Sequence, residues 1–387
     1  MRFCNSTFAS LLKPIDRRWF QATAERFDSD AYDKSFTSWD HLVALVGAQL
    51  THARSLRALE TIFNANAQHH YHLDTGKLAR STLSDANARR PPEVFAQTFL
   101  QLAGAACRKT RQEGEEMLRL IDSSPLPLGK SCPWATWNGR IRGMKMHVVY
   151  DPKNDVPCLV EVTKATVNDI ETGRKTPLEA GATYVFDKGY CRFDWWKEIN
   201  DGGAFFVTRA KKNMRLRAKR KRQVRRRFGD GFEILSDDKV SLASKGDSKL
   251  PIRLRRIKIR REKRGVITLI TNDLKRTAVE IGALYKRRWE IELFFRWMKQ
   301  HLDIRRFLGN NHNAIRLQVL AAMIAYLLLR IALRLHGVTM PVHRFAELAS
   351  QFLFSRRPIA TIDKPPEVHA SRARQWRSPN QLELSYV

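Results

Sequence analysis

Acidic residues, paired cysteines and long apolar runs are all in short supply in this chain of 387 residues, and each shortage excludes something. The five cysteines (Cys4, Cys107, Cys132, Cys158, Cys191) are odd in number and never form a CxxC pair. That pattern argues for a reducing compartment and against both a disulfide framework and a structural zinc site. The longest fully apolar run, Val319 to Leu329, is shorter than the ~20 residues a bilayer crossing needs, and Arg330 ends it. The first twenty residues contain no sustained apolar region and are interrupted by Pro14 and Asp16, which reads against a signal peptide. Acids number 39 against 69 Lys and Arg, for a net charge of +30. Such an imbalance opposes compaction by self-repulsion unless an anionic partner offsets it. With no membrane-spanning run, nucleic acid is the expected partner.

The positive excess is concentrated. Arg209 to Arg227 holds 12 basic residues in 19, Arg253 to Arg264 holds 8 in 12, and Glu262 is the only acid in either run. Isolated charge runs are commonly solvated blocks. Here Ile252, Leu254, Ile257 and Ile259 recur at strand-like intervals and Val266–Thr271 reads as a further strand. The expectation is a small β-rich unit presenting a basic surface to a phosphate backbone, with Lys211, Lys212, Arg215 and Arg217 as candidate DNA contacts.

Before residue 115 the pattern is helical: Ser38 is placed to cap WDHLVALVGAQL, followed by SLRALETIF, RSTLSDANAR and PEVFAQTFLQLAG. A DNA-binding helical module and a plain bundle fit this equally. His69, His70 and His72 have no matching Cys or His spacing to complete a metal site and read as a polar connector. From Leu118 strands take over. MLRLID ends in Asp122, MKMHVVYD and CLVEVTKA form a hairpin, and TYVFD delivers Asp187. A long helix from about Thr277 to His301 and an apolar core helix from about Ala314 to Leu335 follow.

The long helix carries Tyr285, Arg288, Glu292 and Lys299. Their offsets fall within an arc of roughly 60° at 3.6 residues per turn, with Ile291, Phe294 and Met298 on the opposite side. Glu290 points roughly 160° away from Glu292. Taken singly, Asp122 and Asp187 are ordinary turn or cap residues. With Glu292 they form a set of hard oxygen ligands that suits Mg²⁺ or Mn²⁺. Arg288 then grips a phosphate as a planar fork, Lys299 acts as a point charge, and Tyr285 hydrogen-bonds a phosphate oxygen. Trp289 lies beside this face, where stacking on an unpaired base competes with core packing. His147 reads as a satisfied strand histidine, and Trp134 and Trp137 as packing or loop anchors.

These residues carry a resemblance. Asp122, Asp187 and Glu292 resemble the DDE triad of cut-and-paste transposases, and Tyr285-x2-Arg288-x3-Glu292-x6-Lys299 is similar to the Tyr-Arg-Glu-Lys signature of the insertion-sequence-four family. IDSS, PW at Pro133–Trp134, GMKMH, FDKGY, AFFVTRAK and LITND extend the likeness, as do SWDHLVALVGAQL and RSTLSDANARR, over residues of roughly 20 to 335. Lys188 stands where Arg is more usual and Ser124 where Thr is common.

The resemblance implies an α/β fold: a ribonuclease H-like catalytic core of mixed sheet and flanking helices, interrupted by a β-rich insertion and preceded by an all-helical domain. The expected limits are 1–115 for the helical DNA-binding domain, 116–190 plus 276–338 for the core and 191–275 for the insertion. Residues 339–387 are expected to form a C-terminal helix and a partly disordered tail. The 105 residues between Asp187 and Glu292, against 65 between the aspartates, leave room for that insertion. The implied activity is Mg²⁺-dependent cleavage at transposon ends, Mn²⁺ being the alternative ion, with two ions at the triad. A hairpin intermediate and joining to target DNA follow. The implied partners are double-stranded terminal inverted repeats and target DNA. The protein would act as a homodimer in the bacterial cytoplasm, on the nucleoid when DNA-bound, and without a membrane partner. A ribonuclease H-like nuclease without strand transfer would share the triad. A domesticated, non-catalytic DNA-binding protein would be expected to have lost one of its members, and all three are present.

Overall fold

Capping side chains set the helices of the N-terminal region. The computed structural model describes residues 5–365 apart from 32, 34, 113–115, 140, 213, 215, 223–227, 230, 243–251, 262–264 and 303. Six helices come first: α1 (Thr7–Leu12), α2 (Arg17–Arg26), α3 (Ser38–Leu50), α4 (Leu56–Ala65), α5 (Arg80–Arg89) and α6 (Glu93–Gln112). Asp16 accepts the Arg18 and Trp19 N–H groups to open α2. The cap of α3 is Thr37, one residue before the expected Ser38, because a threonine there closes a reciprocal capping box with Asp40. Ser38 instead accepts no capping bond and hydrogen-bonds Asp30. All of α3 except Asp40 is buried, as suits a helix apolar on nearly every side. The His69–His72 connector forms a short 3₁₀ turn in which His70 is buried with its Nε2 2.9 Å from the Phe63 carbonyl.

The sheet that follows carries ten strands: β1 (Leu118–Pro127), β2 (Gly143–Asp151), β3 (Val156–Lys164), β4 (Thr183–Phe186), β5 (Phe205–Arg209), β6 (Leu216–Arg222), β7 (Phe228–Gly229), β8 (Phe232–Leu242), β9 (Leu254–Arg261) and β10 (Gly265–Thr271). Their order is β3-β2-β1-β4-β5-β10-β9-β8-β6, with β7 on β8. β1, β2 and β3 form an antiparallel meander, while β4 and β5 run parallel to β1. That is the mixed sheet expected of a ribonuclease H-like core. Short helices α7 (Asp169–Gly173) and α8 (Phe193–Asp201) make the connections into β4 and β5. Strand β10 then pairs antiparallel with β5 and carries β9, β8 and β6 outward. After β10, the Asn272 side chain prolongs the pairing, accepting the Phe206 N–H and donating to the Ala204 carbonyl, both at 2.9 Å.

Alternation along the strands sends their side chains to two cores. Leu120, Met146, Val148, Val185 and Val207 join the main core with α3, α6 and the C-terminal helices. Ile121, Val149, Phe186 and Phe206 pack on the other face against Trp195 and Trp196 of α8. The expected long helix is two: α9 (Ala278–Arg287) and α10 (Trp289–His301). Arg288 keeps right-handed helical angles, but its N–H bonds the Tyr285 carbonyl three residues back, a tight turn that no glycine or proline announces. α11 (His312–Leu335) is long and apolar enough to cross a membrane, yet 83% of its most apolar window is buried inside the protein. It is the core helix the sequence predicts. α12 (Val342–Gln351) and a 3₁₀ turn at Ile359–Thr361 follow, and the rest of the expected tail, 366–387, lies outside the described residues.

The outer strands qualify the expected basic surface. Buried Arg255 of β9 forms a fork to Asp237 of β8 at 2.6 and 2.7 Å. Arg256 pairs with Asp238 and Arg260 with Glu233, each at 2.8 Å. Three arginines of the second basic run are therefore neutralised within the sheet. Their acidic partners lie 18 or 27 residues upstream, where reading a local charge run does not find them.

Candidate active site

The parallel ladder between β1 and β4 has its last rung at Ile121 and Phe186. Asp122 and Asp187 come next. β4 ends at Phe186, but β1 runs on to Pro127 with Asp122 paired to Val148 of β2. Asp122 is therefore not the strand end the sequence suggests, and the two carboxylates stand where β1 and β4 part. Both cross-strand neighbours of that rung are buried apolar residues, which fixes the depth at which the carboxylates emerge. α10 crosses β1 and brings a third, Glu292.

Arg288 joins two of the three. Its Nη1 donates to Asp122 Oδ2 at 2.9 Å and its Nη2 to Glu292 Oε1 at 2.5 Å. Tyr285 joins the remaining one, its hydroxyl lying 3.3 Å from Asp187 Oδ1. The turn at Arg288 thus splits the signature between two helices and still leaves Tyr285 bonded to Asp187 and Arg288 to Asp122 and Glu292. Glu290 is turned away and held by Arg287 at 2.8 Å. Lys299 lies two turns further along α10, half-buried, and makes no part of this cluster.

Burial dominates the electrostatics. It pushes the Asp122 carboxyl up to about 6, against the pull of Arg288 and the Ser123 N–H, and Glu292 and Asp187 add to the rise. Burial also pushes the Tyr285 phenol up to about 12, helped by Asp187. For Arg288 burial works against the charge, but Asp122 and Glu292 outweigh it and hold the guanidinium above its ordinary value. Lys299 is pulled below its ordinary value by burial and then by Arg305, so two cations stand close together there.

A divalent cation fits these residues. The donors are hard carboxylate oxygens, and a positive charge already stands between Asp122 and Glu292 in the form of the Arg288 guanidinium. Among the described residues, the set of ligating atoms gathered within 4.8 Å of one another is a different one, Cys107, Asp151 and Cys158. Asp151 is occupied, however: Oδ1 accepts the Lys153 and Asn154 N–H groups, and Oδ2 accepts Arg119 and the Asn154 amide.

The remaining candidates are dispersed. Trp289 is 47% exposed at the start of α10, not packed in the core. Lys211 is exposed and donates to the Cys191 carbonyl at 3.2 Å, Lys212 and Arg217 are exposed, and Arg215 lies outside the described residues. His147 is buried in its strand with Nε2 2.9 Å from Thr163 Oγ1, and burial pulls it down to about 4. Its Nδ1 has no hydrogen-bond partner among the described residues, so it is only half the satisfied histidine expected. Trp134 anchors a loop through its Nε1 donating to the Asn310 carbonyl, whereas Trp137 is 62% exposed and packs in no core. Asp169, absent from the candidates, sits beside Ser123, Lys145 and His147. Its setting in VNDIE reads as an ordinary turn before a short helix, and nothing local reveals the long-range partners.

Known proteins resemble this chain over the same stretch. The family described as a transposase DDE domain matches residues 113–328, and a domain of unknown function matches residues 3–74. The Sinorhizobium fredii protein y4zB, named as a transposase, is 60% identical over 305 residues, 79% of this chain and 86% of that protein. A Geobacillus stearothermophilus protein named as the transposase of an insertion sequence element is 30% identical over 254 residues, 65% of this chain and 66% of its own length. The piggyBac transposase, solved as a synaptic complex with hairpin DNA, superposes with a TM-score of 0.50 at 10% identity, covering 98% of this chain and 87% of that one. That likeness concerns the fold.

Proposed function

The chain belongs to the family of DDE transposases of bacterial insertion sequences, and from that premise we propose that Asp122, Asp187 and Glu292 are its catalytic residues. Proteins of this family catalyse DNA transposition, cleaving DNA and transferring strands with the help of a divalent metal. The observation that carries the site assignment is the cluster in which Arg288 bonds Asp122 and Glu292 while Tyr285 bonds Asp187, gathering carboxylates from β1, the end of β4 and α10.

The three carboxylates would hold Mg²⁺, or Mn²⁺, as a pair of ions. Such ions lower the pKa of an attacking water or 3′-hydroxyl and stabilise the leaving oxygen. The protein's own part is placement. Asp122 stays within β1, paired to β2, one residue beyond its last rung with β4; Asp187 follows the end of β4, and Glu292 closes the third side from α10. Arg288, which bonds Asp122 and Glu292 here, would present its planar fork to the phosphate being cut. Tyr285 adds a hydroxyl, and Lys299, crowded by Arg305, gains most from an anionic neighbour. Trp289, 47% exposed at the start of α10, would stack on an unpaired base at a hairpin end.

The proposed partners are terminal inverted repeats and a target duplex, gripped by the exposed cations Lys211, Lys212 and Arg217, with Arg215, outside the described residues, proposed beside them. Two symmetric ends suit a homodimer acting on DNA in the cytoplasm. The proposed division of the chain keeps the helical region to about 115 and places the start of the insertion after Arg209. β5 pairs with β4, and its connection resembles that of a core strand.

The test is a cleavage assay on DNA bearing the element's own inverted repeats, with and without Mg²⁺. Asp122→Ala, Asp187→Ala and Glu292→Gln are expected to bind the ends and leave them uncut. Metal-dependent cutting that survives all three substitutions would overturn the assignment.

A further inference from the structure

We infer that Asp169 is a positioning residue that sets the separation of Asp122 and Asp187, acting with Ser123 and Lys145; the inference rests on the triad assignment above. The ladder between β1 and β4 stops at Ile121 and Phe186, so backbone pairing no longer holds the two aspartates together. Asp169 spans that gap from the α7 side. Its Oδ1 accepts the hydroxyl of Ser123 at 3.0 Å, and Ser123 also gives its N–H to Asp122 Oδ1 at 2.8 Å. Its Oδ2 faces the turn after Asp187: a Cβ built on Gly189 would stand 3.5 Å from that oxygen, in van der Waals contact.

Two further features hold Asp169 in place. Lys145 Nζ donates to Asp169 Oδ1 at 3.1 Å and to the Val167 carbonyl at 2.8 Å, tying the start of α7 to β2. Gly173, in the last turn of α7, lies so close to Tyr190 that a Cβ there would be 2.8 Å from Tyr190 Cδ1. α7 is thereby seated directly on the turn that follows Asp187. One carboxylate therefore bonds the residue next to Asp122 and faces the glycine two beyond Asp187. A part-buried Lys–Asp pair is weak support for folding compared with apolar packing of the same volume. Its place between the two aspartate-bearing segments gives it a use that packing alone would not serve. Outer partners of metal-binding carboxylates change metal affinity by about 10–100-fold when removed.

Mn²⁺ titration followed by electron paramagnetic resonance on the protein–DNA complex tests this, alongside end binding without metal and thermal stability. Asp169→Ala is expected to weaken Mn²⁺ binding at least about tenfold and to shift the metal requirement for cleavage equally. End binding and the melting temperature should stay close to wild type. Ser123→Ala and Asp169→Asn, which keep the local shape, should give smaller shifts of the same sign and serve if Asp169→Ala does not fold. Unchanged Mn²⁺ affinity in these variants would overturn the inference. So would a loss of end binding and stability in step with cleavage, which marks a structural role. Glu292→Gln separates the two claims: if it still cleaves, the triad assignment fails, and if it is inactive while the Asp169 and Ser123 variants match wild type, only the positioning role fails.

Discussion

Arg288 and Asp122 meet at 2.9 Å although 166 residues separate them, and the same guanidinium reaches Glu292. In the absence of metal this cation screens two part-buried carboxylates from each other. Arg288→Gln should therefore lower the melting temperature of the metal-free protein. Added Mg²⁺ should raise it by more than in wild type, because the ion takes over the missing charge. Cleavage should fall by about 10²-fold, the scale for losing one preorganised donor at a charge-developing site. Scanning calorimetry with and without Mg²⁺ checks the first part, and an equal Mg²⁺ shift in both proteins would contradict it.

Glu290 and Glu292 differ in chemistry despite their adjacency. Glu290 is held by Arg287 at the surface, while Glu292 faces Asp122 through Arg288. Glu290→Gln should cleave within about twofold of wild type, since surface ion pairs contribute little. Glu292→Gln should be inactive. Equal losses in the cleavage assay would mean that α10 is turned differently.

How much of this was legible in the sequence depends on the range of the interaction. The 3.6-residue period singled out Glu292 over Glu290, and strand patterning placed Asp187 at the end of β4. Asp122, expected to end its strand, instead lies mid-way along β1, which runs on to Pro127 against β2. The break at Arg288 was not legible, because YKRRWE contains strong helix formers and no breaker. The pairing of Arg255, Arg256 and Arg260 with Asp237, Asp238 and Glu233 was hidden for a second reason: it depends on strand register. Asp169 was missed on the same ground, since its partners come from β1 and β2.

Those internal pairs lead to a prediction about salt. Exposed Lys211 and Arg217 should each contribute about one unit to the slope of log K against log salt for end binding. Lys211→Gln and Arg217→Gln should flatten the slope accordingly, and Arg256→Gln, whose partner is Asp238, should leave it unchanged. Binding isotherms from low to moderate salt provide the comparison. An equal flattening by Arg256→Gln would mean that the β8–β9 pairs open on DNA.

Acid should weaken the helical region through His41. Burial pulls this imidazole down to about 3, with Nε2 2.9 Å from Asn87 Oδ1. The folded pKa lies below the unfolded one, so the unfolded chain binds the extra proton first. The stability held by neutral His41 is complete above pH ~6.5 and is lost as pH falls toward 3, up to about 4 kcal/mol. His41→Gln, which keeps an amide donor for Asn87, should shift the acid-unfolding midpoint downward in circular dichroism. An unmoved midpoint would place the acid-labile group elsewhere.

Iron-mediated backbone cutting tests the central claim most directly. Fe²⁺ replacing Mg²⁺ in the protein–DNA complex, with ascorbate and peroxide, releases radicals that break the chain within a few ångströms of the ion. The account predicts three cuts, near Asp122, Asp187 and Glu292, all suppressed by excess Mg²⁺ and lost together in Glu292→Gln. Cuts confined to one of these segments, or clustered near Cys107, Asp151 and Cys158, would contradict it.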